Sequence, residues 1–166
     1  MRAALVLICG LAFSACAQAA PPGGEASRSM PPLSASDTIE LCLTAADNRG
    51  QGEACILEYA SNCISLAGDL PTAAIREACY GEEREAWMAR QAASLASLVD
   101  AMSVERRGLL TQSQDAWSAA VQRDCDFVAS FYPHEPVAQA QGAQCLAERS
   151  AHRALQLQAW DEAYTR

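Results

Sequence analysis

Asp37-Thr38-Ile39-Glu40-Leu41-Cys42-Leu43-Thr44-Ala45-Ala46-Asp47-Asn48-Arg49-Gly50-Gln51-Gly52-Glu53-Ala54-Cys55 decides the fold. The stretch reads as a helix, a turn and the start of a second helix, with a cysteine on either side of the turn. Asp37 and Glu40 have the spacing of a capping box, in which an N-cap side chain and an acid three residues on satisfy each other's backbone donors. They predict a helix from about Asp37 to about Ala46. Asp47–Gly52 is a run of turn formers. A second helix is expected from about Glu53 to Leu66, closed by Gly68.

The same figure recurs twice along the chain. Pro71 opens a third helix after the Gly68–Pro71 break, which lies between Cys63 and Cys79. The Tyr132–Pro136 break lies between Cys125 and Cys145. Each neighbouring pair straddles one turn at similar distances, and antiparallel helices joined by a short loop bring such positions face to face. The expected bridges are therefore Cys42–Cys55, Cys63–Cys79 and Cys125–Cys145. Loops of this size stabilise a domain by about 3 kcal/mol each in the chain-entropy model.

Between these turns the apolar residues keep a helical period. Trp87, Leu95, Leu98 and Met102 share a stripe in the third helix. Leu110, Trp117, Val121, Val128 and Phe131 do so in the fourth, and Leu146, Leu157 and Trp160 share a face with Arg153 in the last. That pattern belongs to core-facing helices, and alternation at period two is absent. The tryptophans are expected as core anchors, because they bury the most area. Gly108 either separates the third and fourth helices or kinks one long one. The expected fold is all-α: a small disulfide-stapled bundle of about four to five helices joined by short turns, forming a single domain over 37–166.

Ahead of it, Arg2 and the apolar run Ala3–Ala15 have the form of a signal peptide, too short to span a membrane. Ala17-Gln18-Ala19 fits cleavage that removes residues 1–19. The alternative is a lipobox, Phe13-Ser14-Ala15-Cys16, with Cys16 lipidated and the protein held at a membrane; Phe departs from the usual Leu there. Either route exports the chain to the periplasm or beyond. Residues 20–36 hold four Pro and two Gly with no apolar period, which reads as a disordered linker. The even set of six cysteines left after the signal suits an oxidising compartment.

Composition narrows the function by exclusion. Of 166 residues, 20 are carboxylic acids and 12 are cations, all of them Arg, for a net charge of −8. Loss of Arg2 makes the mature chain one charge more negative. Nucleic acid is excluded as a partner, since a phosphate-binding surface needs clustered positive charge. No C-x-x-C occurs and neither His134 nor His152 has ligand spacing to a cysteine, so no metal or cofactor is expected. Bridged cysteines leave no nucleophilic thiol, and no Ser-His-Asp constellation is present. Glu82, Glu83 and Glu85, alternating with Arg84, read as a solvated helix face rather than catalytic carboxylates. The expectation is a binding protein, not an enzyme.

One pattern carries more information. Gln114-Asp115-Ala116-Trp117, Arg123-Asp124-Cys125, Cys145-Leu146 and Arg153 resemble the lysozyme inhibitor LprI-like N-terminal domain family, whose signature runs Q-x-A-W, R-D, C, C-L and a later R. The upstream cysteines, with Glu83 and Trp87, are similar to exported members with extra cysteines, and the likeness covers about residues 40–160. The chain has Ala92–Ala96 where members often carry L-N-x-x-Y, and Phe131–Pro136 where they tend to have a Gly-rich turn. The resemblance implies an exported, disulfide-bonded helical domain that inhibits lysozyme.

An inhibitor of a glycan hydrolase needs only to plug a cleft holding two carboxylates, and an acidic protein is steered toward basic lysozymes. Phe131, Tyr132, His134 and Glu135 are the candidate partner-binding residues, pre-organised by the Cys125–Cys145 bridge. The commoner fate of aromatics beside a turn is to fold back into the bundle. Arg123, Asp124 and Arg153 are expected as an ion-pair cluster joining the fourth and fifth helices. The rival function is an envelope adaptor with no enzyme target; hydrolysis of cell-wall material ranks last.

Overall fold

Three long helices carry the molecule, and they do not share contacts evenly. The structure, a computed structural model, describes residues 32–46 and 49–165. Its helices are α1 (Ala35–Ala45), α2 (Arg49–Glu53), α3 (Glu58–Leu66), α4 (Ala73–Ala101), α5 (Val104–Ala129) and α6 (Glu135–Thr165). The expected all-α class holds, with α2 a single extra turn. The expected signal segment, the Cys16 lipidation site and most of the linker lie outside the described residues.

α6 packs along α4 over most of its length and along α5 more lightly, whereas α4 and α5 have little direct contact. The cross-helix hydrogen bonds give the directions. Gln91 meets Ser150 and Ser97 meets Asp161, so α4 and α6 run parallel. Arg153 meets Gln114 and Arg106 meets Tyr164, so α5 runs antiparallel to α6. α1 and α3 cover the first part of α4, and α2 rests on α6.

Serine and threonine hydroxyls start the helices. Ser34, Thr72 and Ser103 accept from the backbone N–H groups of Asp37, Ile75 and Arg106, each satisfying one donor that a helix start leaves free. The capping box of α1 is Ser34 with Asp37, not Asp37 with Glu40: the Ser34 hydroxyl accepts from Asp37 N at 3.1 Å and donates to Asp37 Oδ2 at 2.7 Å. Ser103 also decides where α4 ends. The break falls at Met102–Ser103 and α5 runs unbroken through Gly108.

The core is lined by small residues. Ile39, Trp87 and Leu155 pack with Cys55 and several alanines near α1; Leu98, Leu110 and Leu157 form a second cluster at the other end of α4. Alanine at Ala147, Ala151 and Ala154, all buried, lets α6 come close to its neighbours. Such a core supplies little apolar area per residue, which is where the staples matter. All three bridges are present: Cys42–Cys55, Cys63–Cys79 and Cys125–Cys145, with Cα separations of 5.7, 5.8 and 5.5 Å. The expected helix from Glu53 to Leu66 is interrupted. Residues 54–57 form turns between α2 and α3, and Leu57 takes the left-handed conformation at φ 66°. The close of that helix is as expected, with Gly68 at φ 106°.

Candidate functional site

The turn joining α5 to α6 is anchored by Cys125 and Cys145, which are 5.5 Å apart at Cα. Within it, Phe131 N and Tyr132 N donate to the carbonyls of Val128 and Ala129, while the Ser130 hydroxyl donates to Phe127 O at 2.6 Å. His134 O accepts from Val137 N and Ala138 N and so closes the first turn of α6. Pro136 is tolerated there because a helix's first N–H groups have no partner within it.

This rigid frame holds its aromatics outward. Phe131 is 66% exposed and packs edge-on against Phe127, 63% exposed, with ring centroids 4.8 Å apart. Phe131 therefore does not belong to the core stripe where periodicity put it, since α5 ends at Ala129 and the ring turns away from the bundle. Tyr132 donates to Gln141 Oε1 at 3.1 Å, which fixes a half-exposed ring. His134 and Glu135 are exposed beside them. Phe127, one turn before Phe131, is a member of this patch that periodicity did not single out. The arrangement offers an exposed apolar knob, Phe127, Phe131 and Tyr132, beside the polar His134 and Glu135.

Arg153 stands elsewhere and does something else. It is 5% exposed. Its Nε donates to Gln114 Oε1 at 2.9 Å, with further bonds to Gln156 and Ser113. The guanidinium lies 5.7 Å from the Trp117 ring centroid and 5.0 Å from that of Trp160. Burial pulls its pKa below the ordinary arginine range. Gln114 donates onward to Gln91, and Gln91 to Ser150 O, so one polar chain ties α4, α5 and α6. The expected ion-pair cluster does not form. Arg123 and Asp124 are exposed, and Asp124 sits 3.8 Å from Arg149 instead. Helix phase turns Arg123 away from the seam that Trp117 and Val121 line, while Asp124, seven residues after Trp117, stays exposed beside Arg149 and Arg153 is taken up by amides and rings. Of the three tryptophans, only Trp87 is a fully buried anchor; Trp117 is half-buried and Trp160 is 39% exposed.

Glu83 corrects a second expectation. It is fully buried rather than solvated. Oε1 accepts from Leu57 N at 2.6 Å and from Trp87 Nε1 at 3.0 Å, and Oε2 accepts from Ala60 N at 2.8 Å. Leu57 is the N-cap of α3 and has no capping side chain of its own. A carboxylate from α4 thus supplies the missing cap, at the helix end where negative charge is favoured. Beside it, Tyr59 donates to Glu82, and that bond with burial and nearby carboxylates pushes the phenol's pKa up to about 12.

Cys42, Cys55 and Glu58 lie close together, but the two sulfurs are bonded to each other, so they offer no thiolate. Among the described residues no helix is long and apolar enough to cross a membrane.

The family model for lysozyme inhibitor LprI matches residues 63–157. The chain belongs to the LprI lysozyme-inhibitor family. No curated protein and no solved structure matches the chain. The LprI match takes in Cys63–Cys79, the buried Glu83 and Trp87, the Gln114–Arg153 network and the whole α5–α6 turn. It leaves out α1, α2 and the Cys42–Cys55 bridge, which cap the LprI portion at the α3 end.

Proposed function

We propose that this protein is an exported envelope protein that binds lysozyme, or a related peptidoglycan-cleaving enzyme, and blocks its cleft without catalysing any reaction. The observation that carries this reading is the knob at the α5–α6 turn, in a chain of an inhibitor family. Phe127, Phe131 and Tyr132 stand exposed on a disulfide-braced turn, whereas scattered single apolar residues would be ordinary. Rigid aromatics lose little conformational freedom on binding, so such a knob binds at low entropic cost. His134 and Glu135 border it with polar groups. The net charge of −8 speeds encounter with a basic enzyme, most strongly at low salt. Residues 1–19 supply the export signal in this reading, with lipidation at Cys16 as the variant that would tether the protein.

The test is lysis of bacterial cell walls by several lysozyme classes, with and without the oxidised protein, at low and at physiological salt. Saturable protection at both salts is expected, reduced at least tenfold in Phe127→Ser/Phe131→Ser while the far-ultraviolet spectrum stays helical. Protection at low salt alone would reduce the effect to charge attraction. Protection against no class would move the assignment to an envelope adaptor.

A further inference from the structure

α5 is the least covered of the long helices. Of its 26 residues only Leu110, Val121 and Cys125 are buried. Leu110 packs with Leu157 of α6 and Cys125 is bonded to Cys145 of α6, so that side of α5 meets α6. The opposite side carries a pattern of its own. Glu105, Leu109, Gln112, Ala116, Arg123 and Phe127 are exposed, and spacings of four, three, four, seven and four residues keep them on one face. Ala119 and Ala120 fill the gap before Arg123 and are exposed as well. Such spacing makes a seam for pairing helices, and its large apolar members are open to water: Leu109 is 60% exposed and Phe127 63%.

The charges on this face complement each other end to end. Glu105 stands near its start and Arg123 near its finish, about 27 Å apart along the axis. Both ion pairs among the described residues lie elsewhere. Between the two charges the face is neutral and mostly small. Two such helices laid antiparallel, with a two-fold axis at residue 114, set Glu105 of each copy opposite Arg123 of the other. The same register seats Leu109 over Ala119 and Ala120 of the second copy, where small side chains let the helices approach closely. It brings Phe127 to the α4–α5 joint of that copy, where Val104 is 77% exposed. Arg106 and Asp124 share one flank of the seam, and the two-fold axis brings the one beside the other. A parallel pair would instead set like charges together.

We propose that this face of α5 pairs with the same face of a second copy of the chain, antiparallel, with Glu105–Arg123 contacts at both ends. One helix pair buries little area, so the dimer is weak and its population follows concentration. The pairing does not rest on lysozyme binding. Phe127 belongs to both surfaces, however, so a target at the knob and a second copy compete for it.

The chain has no lysine, which makes the contact readable. Arg123→Lys keeps the charge and installs the only side-chain amine, and a carbodiimide joins that amine to a carboxylate in contact with it. Within one chain the amine and Glu105 are too far apart to be joined, so a cross-link between them connects two copies. Peptide mapping of the covalent dimer is expected to find it. Sedimentation of the oxidised protein from micromolar to millimolar concentration should show a monomer–dimer equilibrium. Arg123→Glu and Glu105→Arg should each weaken it at least tenfold, less so in high salt, and the double variant Glu105→Arg/Arg123→Glu should recover it. Recovery also separates loss of charge pairing from loss of fold. A monomer at millimolar concentration, a dimer cross-linked only through other carboxylates, single reversals without effect, or a double variant no better than the singles would each overturn the assignment.

Discussion

Glu83 Oε1 accepts a hydrogen bond from Leu57 N at 2.6 Å across 26 residues of sequence, where Leu57 holds a left-handed backbone at φ 66°. The two features depend on each other. A leucine in that conformation is strained by its Cβ, and the turn it makes is what aims the first N–H groups of α3 at α4. The carboxylate compensates by satisfying Leu57 and Ala60 at once, and Trp87 Nε1 holds it from below.

Removing that carboxylate should therefore cost more than a surface glutamate ever does. Glu83→Ala leaves three donors without an acceptor and opens a void, for a loss of about 3–5 kcal/mol in urea unfolding. Glu83→Gln keeps the shape but turns an NH2 toward one of the donors, and a smaller loss of about 2 kcal/mol is expected. A Glu83→Ala variant as stable as the parent would show that the buried cap contributes nothing.

Arg153 gives a separate prediction, because its stability rests on planarity as well as charge. Arg153→Lys keeps the charge but loses the fork to Gln114 and Gln156 and the flat contact with Trp117 and Trp160. A loss of about 2–3 kcal/mol is expected, together with tryptophan emission shifted to longer wavelength. Arg123→Ala, an exposed position on the same family signature, should change stability by less than about 0.5 kcal/mol.

The Cys125–Cys145 bridge closes 20 residues, and Cys125→Ser/Cys145→Ser should cost about 3 kcal/mol. If the knob acts as proposed, this variant also loses inhibitory potency at temperatures where it is still folded, since the turn is no longer held. Replacing Cys42 and Cys55 instead, at the other side of the fold, should lower stability and leave potency intact. Comparing the two variants by thermal unfolding and by cell-wall lysis separates bracing of the knob from general stabilisation.

Tyr59 sets an alkaline limit. Its pKa rises from 10.0 to about 12 on folding, chiefly through its bond to Glu82. The folded state therefore binds this proton more tightly than the unfolded one. Its contribution is complete below pH 10 and is lost as pH climbs toward 12. Unfolding midpoints measured across that window should fall, and Tyr59→Phe should make the fall shallower. A parallel fall in both proteins would assign it to other groups.

How far the residues alone carried the fold follows from the range of the forces involved. Helix period, turn formers and cysteine spacing are local signals, and they sufficed for the all-α class, the three bridges and the turn between Cys125 and Cys145. They carried the LprI signature as well. What they missed depends on rotation about a helix axis and on partners far along the chain. Cys79, Glu83 and Trp87 recur every four residues, which places Glu83 on the buried stripe, yet its neighbours Glu82 and Glu85 gave it the look of a solvated face. Only a backbone from another helix, arriving with its donors free, makes burial of that carboxylate favourable. The same holds for Arg153, whose partners proved to be amides and rings rather than Arg123 and Asp124. Local signals were enough for the long helices and for which cysteines meet, because both depend on neighbours close in the chain; which helix faces meet, where the Glu53–Leu66 segment breaks, and which polar groups are buried and satisfied depended on contacts between residues far apart in sequence.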